Sequence, residues 1–377
     1  MSKKYNLCIV GLFCLFIGGF FLANLVAPTQ AFSPMENRAL GQMPTLSVES
    51  VLSAQFMKDF ETYVTDQFVG RDGWIALKST TEKSLGKQEN NGVYLCEKDT
   101  LISRFDKPLD DRAKNLIDKN YGYVNKLAAK AGVPVYFSLI PGKVSAWADR
   151  LPEGAPNDDE YAYILRGEET DAKWIDSYGP LMAHRNEDIY YRTDHHWTSL
   201  GAYYGYAAIA QGMGFSPTPL TDYTKTVQST EFFGSTFSSS GVRWVKPDTI
   251  ETYVPGTSAT VTNYFDVKAE PGTMYDLPKL AVKDKYAMFF GGNKPLTVIK
   301  STVAPKEAPK LLVIRDSYSD SMAPFLTANF SEIHLFDPRY YKISPTKYAA
   351  DHHIDQILVL YSVANFVSDG NLFVLGL

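Results

Sequence analysis

Between Leu7 and Ala27 the chain runs LCIVGLFCLFIGGFFLANLVA, with Asn24 as its only polar side chain. As a helix, at about 1.5 Å per residue, this run rises about 30 Å, the thickness of a bilayer's hydrocarbon core. Lys3 and Lys4 precede it and would stay on the cytoplasmic side, which sends the rest of the chain outward. A secretory signal cut after Ala31 is the rival reading, and a buried helix of a cytosolic core is the third. The apolar run is long for a signal, which favours an uncleaved anchor over residues 1–27. Either of the first two readings places residues 32–377 outside the cytoplasm.

The remaining composition suits a large globular domain, or one domain with an insertion, in a chain of 377 residues. At 45% hydrophobic and 21% charged it is neither disordered nor collagenous. A net charge of −5 offers no basic field, so nucleic acid is not an expected partner. Cys8 and Cys14 lie in the apolar run, leaving Cys96 alone in the exported part and no disulfide framework.

Residues 28–50, polar and carrying three prolines, read as an extended stalk onto a domain over 51–377. Val51, Phe56, Phe60, Val64 and Phe68 mark a helical stripe. Asp110–Ala131 reads as a helix closed by Gly132 and followed by a buried strand at 133–141, an α/β signature. Asp188–Arg192 reads as a short strand before a turn, and Ser199–Gly212 as a helix. From 216 to 305 Ser, Thr and Gly alternate with Tyr, Phe and Val, which predicts an irregular β-rich insertion. The α/β rhythm then returns, with strands at 310–316, 332–337 and 356–362 and helices at 319–328 and 346–355.

Two segments can carry chemistry. In KLLVIRDSYSDSMA (310–323), Asp316 and Ser317 fall where a buried strand turns into a helix. That is the carboxyl edge of the sheet, where open α/β folds bind ligands, and the amides opening the helix suit an oxyanion. Asp and Ser are equally ordinary helix caps. In YYRTDHHWTSLG (190–201), extended backbone would put Asp194 and His196 on one side and His195 on the other. Asp-x-His suits a carboxylate that orients an imidazole base. A buried structural pair and a metal site are the alternatives, and the divergence of the two histidines weakens the metal. Asp351–His353 reads as a solvated helix end, and His184 and His334 as ordinary residues.

The stretch Tyr191-Arg192-Thr193-Asp194-His195-His196-Trp197-Thr198, with Gly201, resembles the signature of the DHHW family of exported bacterial proteins. Ser33-Pro34-Met35-Glu36-Asn37-Arg38, with Leu40 and Pro44, resembles the Glu-Asn-Arg element near their start. That family is similar in turn to the SGNH-hydrolase-like domain of the alginate O-acetyltransferases AlgJ and AlgX. The resemblance implies an α/β, flavodoxin-like parallel sheet with flanking helices, a β-rich insertion and a circularly permuted motif order. It implies Ser317 as nucleophile, His196 as base and Asp194 as orienting carboxylate, with Gly234 and Asn365 as oxyanion donors. Two departures stand out: Arg315-Asp316-Ser317 replaces Gly-Asp-Ser, and Asp-x-His replaces Asp-x-x-His. Trp197 and Tyr318, beside the triad, are the expected substrate contacts. No metal or other cofactor is required.

The activity so implied is O-acetyl transfer to hydroxyls of a cell-surface or secreted polysaccharide through an acetyl-serine. An enzyme outside the cytoplasm has no direct access to acetyl-CoA. The expected donor is therefore a multispanning membrane acyltransferase, with the N-terminal segment holding the enzyme beside it. A carbohydrate esterase using the same triad, and a non-catalytic glycan-binding or assembly protein, are the alternatives.

Overall fold

The computed structural model describes residues 3–105, 109–166, 170–254, 259–265 and 268–377. Lys3–Val26 is one helix with no buried side chain, and among the described residues it alone is long and apolar enough to cross a membrane. The chain divides into two compact units, Met1–Asn90 with Gly241–Trp244, and Asn91–Ser240 with Val245–Leu377. The boundary expected at residue 51 therefore moves: helices Gln55–Asp66 and Arg71–Ser84 belong to the first unit. The physical reason is an ion-pair lattice with the supposed stalk. Asp66 accepts two hydrogen bonds from the Arg38 guanidinium and one from the Gly41 amide, and Arg71 pairs with Glu36 at 2.8 Å. The stretch 28–50 is accordingly folded, with Phe32–Ser33 pairing antiparallel to Arg38–Ala39. The stripe over 51–68 is two helices, Val48–Leu52 and Gln55–Asp66, broken where Ala54 takes φ +59°.

The second unit is built on an eight-stranded sheet, its strands numbered here in chain order. They are β1 (Val135–Ile140), β2 (Lys173–Trp174), β3 (Ala259–Phe265), β4 (Lys268–Gly272), β5 (Leu296–Ser301), β6 (Lys310–Arg315), β7 (Glu332–Phe336) and β8 (Gln356–Ser362). Their spatial order is β4-β3-β5-β7-β6-β8-β1-β2. The run from β7 to β2 is parallel. Counted from β6 through the chain end and on from β1, these five strands follow the flavodoxin-like order 2-1-3-4-5. Parallel strands are covered on both faces, which is why β1, β6 and β8 read as near-continuous apolar runs. Alternation within β6 sends Leu311 and Val313 into one core and Leu312 and Ile314 into the other.

The segment 216–305 is not wholly a separate insertion. Thr226–Phe232 and Asp248–Thr252 form a ladder of their own, but β3, β4 and β5 extend the central sheet antiparallel beyond β7, with Leu296 opposite Phe336. Pairing there satisfies the β7 edge that would otherwise stand open. The helix Asp111–Lys130 is capped by the Asp110 carboxylate, which accepts the Ala113 amide at 2.7 Å, and Gly132 at φ +68° follows its end. The loops that leave β1, β6 and β8 all lie at one end of the sheet, the crevice where open α/β folds place their sites.

Candidate active site

The turn after β6 is held by Asp316, which is fully buried. Its Oδ1 accepts the Tyr318 amide at 3.0 Å. Its Oδ2 accepts the Ser362 amide at 2.9 Å, the Ser362 hydroxyl at 2.7 Å and the Asn365 carboxamide at 2.8 Å. A single carboxylate thus ties the Ser317 turn to the end of β8. The glycine-to-arginine departure before it is accommodated inward: Arg315 is wholly buried and pairs with Asp320 at 3.0 Å and Asn293 at 3.0 Å.

Ser317, His196 and Asp194 come together. Ser317 Oγ lies 2.7 Å from His196 Nε2, and His196 Nδ1 lies 2.6 Å from Asp194 Oδ1. With Asp194 ionised, Nδ1–H donates to the carboxylate and leaves Nε2 to accept the serine proton. The Asp194 carboxylate also accepts the His196 amide at 2.9 Å and, through Oδ2, the Ser235 amide at 2.7 Å. Burial pushes this carboxyl up, but the two neighbouring imidazoles and these donors outweigh it and hold it well below the ordinary carboxylate range. The expected extended strand is absent: residues 188–196 form a bent loop closed by an isolated Tyr190–Trp197 bridge. Asp194 meets His196 because the carboxylate folds back onto the amide two residues on, not through strand alternation. His195 turns to Ser235, its Nδ1 2.5 Å from that hydroxyl.

Several expected roles change. Gly234 donates its amide to Thr193 Oγ1 at 3.2 Å, so that N–H is not directed at an oxyanion. It is a glycine because a Cβ there would lie 2.2 Å from Asp194 Cβ and 2.3 Å from Oδ2. Trp197 is fully buried, donates to the Tyr318 carbonyl at 2.9 Å and packs on Gly205, so it is core rather than a substrate contact. Tyr318 is buried as well, its hydroxyl donating to the His195 carbonyl, but its ring lines a small pocket together with Asn365. Candidate ligand atoms of Asp194, His195 and His196 lie within 4.8 Å of one another. Because His196 spends both ring nitrogens on Asp194 and Ser317, a metal bound there would dismantle the triad. Away from the site, His334 is buried against Tyr348, His184 pairs with Glu187, and His352 and His353 are exposed.

Three further groups matter, and Tyr286 and Asp248 had no signal that singled them out. Tyr286 stacks on the His196 imidazole, ring centroids 3.8 Å apart and 5° from parallel, and its hydroxyl donates to the Ser317 carbonyl at 3.1 Å. Lys143 is buried, and its ammonium reaches the carbonyls of Leu101, Tyr191 (3.0 Å) and Arg192 (3.2 Å). Asp248 accepts the Arg192 amide at 3.0 Å and the Thr193 amide at 2.7 Å. The last two fasten the loop just upstream of Asp194. A lysine in Pro141-Gly142-Lys143, directly after a buried strand, was the one available hint.

Residues 160–336 match the DHHW protein family. A DHHW family protein from Eubacterium siraeum has a solved structure similar to this chain, with 26% identity and a TM-score of 0.63 over 76% of this chain and 95% of that one. Bacillus cereus PatB1 is similar in fold at 22% identity and TM-score 0.60, over 74% of this chain and 98% of its own, and is also solved with a sulfonyl adduct. The O-acetyltransferase domain of Pseudomonas putida AlgJ aligns at 16% identity and TM-score 0.46, over 74% of this chain and 93% of that one. No curated protein sequence matches the chain.

Proposed function

We propose that the protein is an exported, membrane-associated O-acetyltransferase that moves acetyl groups onto hydroxyls of a cell-surface or secreted polysaccharide. The observation that carries this reading is the continuous relay from Ser317 Oγ through His196 to Asp194. Ser317 Oγ attacks the donor's acetyl carbonyl as its proton passes to His196 Nε2, and Asp194 stabilises the imidazolium. The tetrahedral oxyanion collapses, His196 returns the proton to the departing group, and acetyl-Ser317 remains. An acceptor hydroxyl then gives its proton to His196 and attacks the acetyl carbon, which regenerates the serine. Proton transfer of this kind contributes about 10²–10⁴ in rate, and oxyanion donors a further 10²–10³ or so.

Two donors suit the oxyanion. The Ser317 amide has no hydrogen-bond partner among the described residues, and the Asn365 carboxamide uses one hydrogen on Asp316. The topology, read from β6, supports a circularly permuted SGNH-hydrolase-like domain. The helix Lys3–Val26 supports a membrane tether that would hold the enzyme beside a multispanning acetyl donor. The sulfonyl adduct of PatB1, on a similar fold, agrees with a reactive nucleophile in such a site.

The test is mass spectrometry of the full chain after exposure to 4-nitrophenyl acetate, followed by an oligosaccharide acceptor. An acetyl adduct on wild type, lost in Ser317→Ala and discharged by the acceptor faster than by water, is expected. An adduct that survives in Ser317→Ala removes the nucleophile assignment. Discharge to water alone makes the protein a carbohydrate esterase.

A further inference from the structure

Beside the triad lies a pocket of about 110 Å³ with Asn365, one of the two proposed oxyanion donors, in its wall. His195, Tyr318 and Asn365 form the side nearest the nucleophile turn, while Ile102, Phe105 and Val144 supply apolar walls. Glu160 also lines it and is only 3% exposed. Its Oε2 accepts the Gly142 amide at 3.0 Å, and its other oxygen has no donor among the described residues. Neighbouring Lys143 does not neutralise it, because that ammonium is spent on three carbonyls. A carboxyl oxygen that opens onto a pocket and takes no donor from the described residues can take one from a ligand there.

We infer that this pocket is a subsite for a hydroxyl-bearing substituent of the acyl acceptor, whose O–H donates to the unpaired Glu160 oxygen. The inference rests on the acyl-transfer reading. Size points to a substituent and not a whole sugar ring, since the volume holds about four water molecules. Polarity points to a donor: the Glu160 carboxyl accepts, while Ser103, Arg104, Ser362 and Asn365 share the lining. The apolar walls of Ile102, Phe105 and Val144 beside the Glu160 acceptor match the carbon and hydroxyl of a sugar's exocyclic arm. Burial raises the Glu160 carboxyl to about 7, as expected of a group that lacks a cationic partner.

The experiment uses the full chain in detergent, 4-nitrophenyl acetate as donor and methyl glucoside as acceptor. It reads the acylation burst and the ratio of transfer to hydrolysis, in wild type, Glu160→Leu and Glu160→Gln. The burst reports folded, reactive serine and does not draw on the acceptor. Glu160→Leu is expected to lower the transfer ratio about tenfold, and the isosteric Glu160→Gln by a smaller factor. Equal ratios in wild type and Glu160→Leu, including no transfer in either, overturn the subsite, as does a burst slowed as much as the transfer. Absence of any acetyl-enzyme in wild type removes the acyl-transfer reading instead, and the subsite with it.

Discussion

Tyr286 lies flat on His196, ring planes 5° apart, and donates its hydroxyl to the carbonyl of Ser317. One side chain therefore sets both the tilt of the His196 ring and the backbone at Ser317. Removing the hydroxyl alone, in Tyr286→Phe, keeps the stack and should cost no more than about threefold in acylation rate. Tyr286→Ala frees the imidazole to rotate and should cost about a hundredfold. Burst kinetics with 4-nitrophenyl acetate distinguish the two; equal losses would mean that the stack does not hold the base.

Gly234 offers a clean separation of two roles. Gly234→Ala retains the backbone amide, so an oxyanion donor would survive the change. The added methyl would instead stand 2.2 Å from Asp194 Cβ and force the carboxylate away from His196. Acylation is expected to fall by about 10² or more with the fold retained, checked by kinetics beside circular dichroism. Full activity in the alanine variant would restore the oxyanion reading of this position.

Lys143 gives a pH signature. Burial pushes its ammonium down to about 8, against an ordinary value of 10.5. Between those two values the unfolded chain holds the proton and the folded chain has released it, so the group's contribution to stability rises with pH there and is flat below. Lys143→Met removes that rise and leaves three carbonyls without their donor, a loss on the order of 3 kcal/mol at neutral pH. Urea unfolding at several pH values tests this. Parallel pH slopes in wild type and variant would contradict it.

In the N-terminal unit the sign is the same, but the window is acidic. The Arg38 guanidinium, against the opposing effect of burial, holds Asp66 down at about 2, below its ordinary 3.8. Its stabilising contribution is complete above about pH 4 and drains away as pH falls toward 2. Trp74 lies in this unit, and its fluorescence should report an acid transition that Asp66→Asn shifts to higher stability loss at neutral pH and a flatter acid limb.

Much of the centre was legible because it rests on local patterns. A four-residue apolar run ending in Asp316-Ser317 is a strand meeting a helix wherever it occurs, and Asp-x-His brings carboxylate and imidazole together over two residues. What escaped depends on distant pairing. Nothing in β3, β4 or β5 states that they will continue the parallel sheet, since that depends on the open edge of β7. Tyr286 is one of 24 tyrosines until the fold lays it on His196. Gly234 was noticed for its residue type but given the wrong reason: the glycine serves a side chain across the loop and not its own amide. Trp197 looked available beside the histidines, yet helix Ser199–Gly212 folds back to bury it against Gly205.

The last strand, β8, lies in the middle of the sheet between β6 and β1, and its end supplies Ser362 and Asn365 to the Asp316 carboxylate. A chain made from its amino end thus holds Asp194 and His196 long before it holds the frame that aims Ser317. Until residue 365 has left the ribosome, the sheet is missing a central strand and the relay cannot close. A product that stops before β8 would lack Ser362 and Asn365, and with them the donors that hold Asp316 beside Ser317.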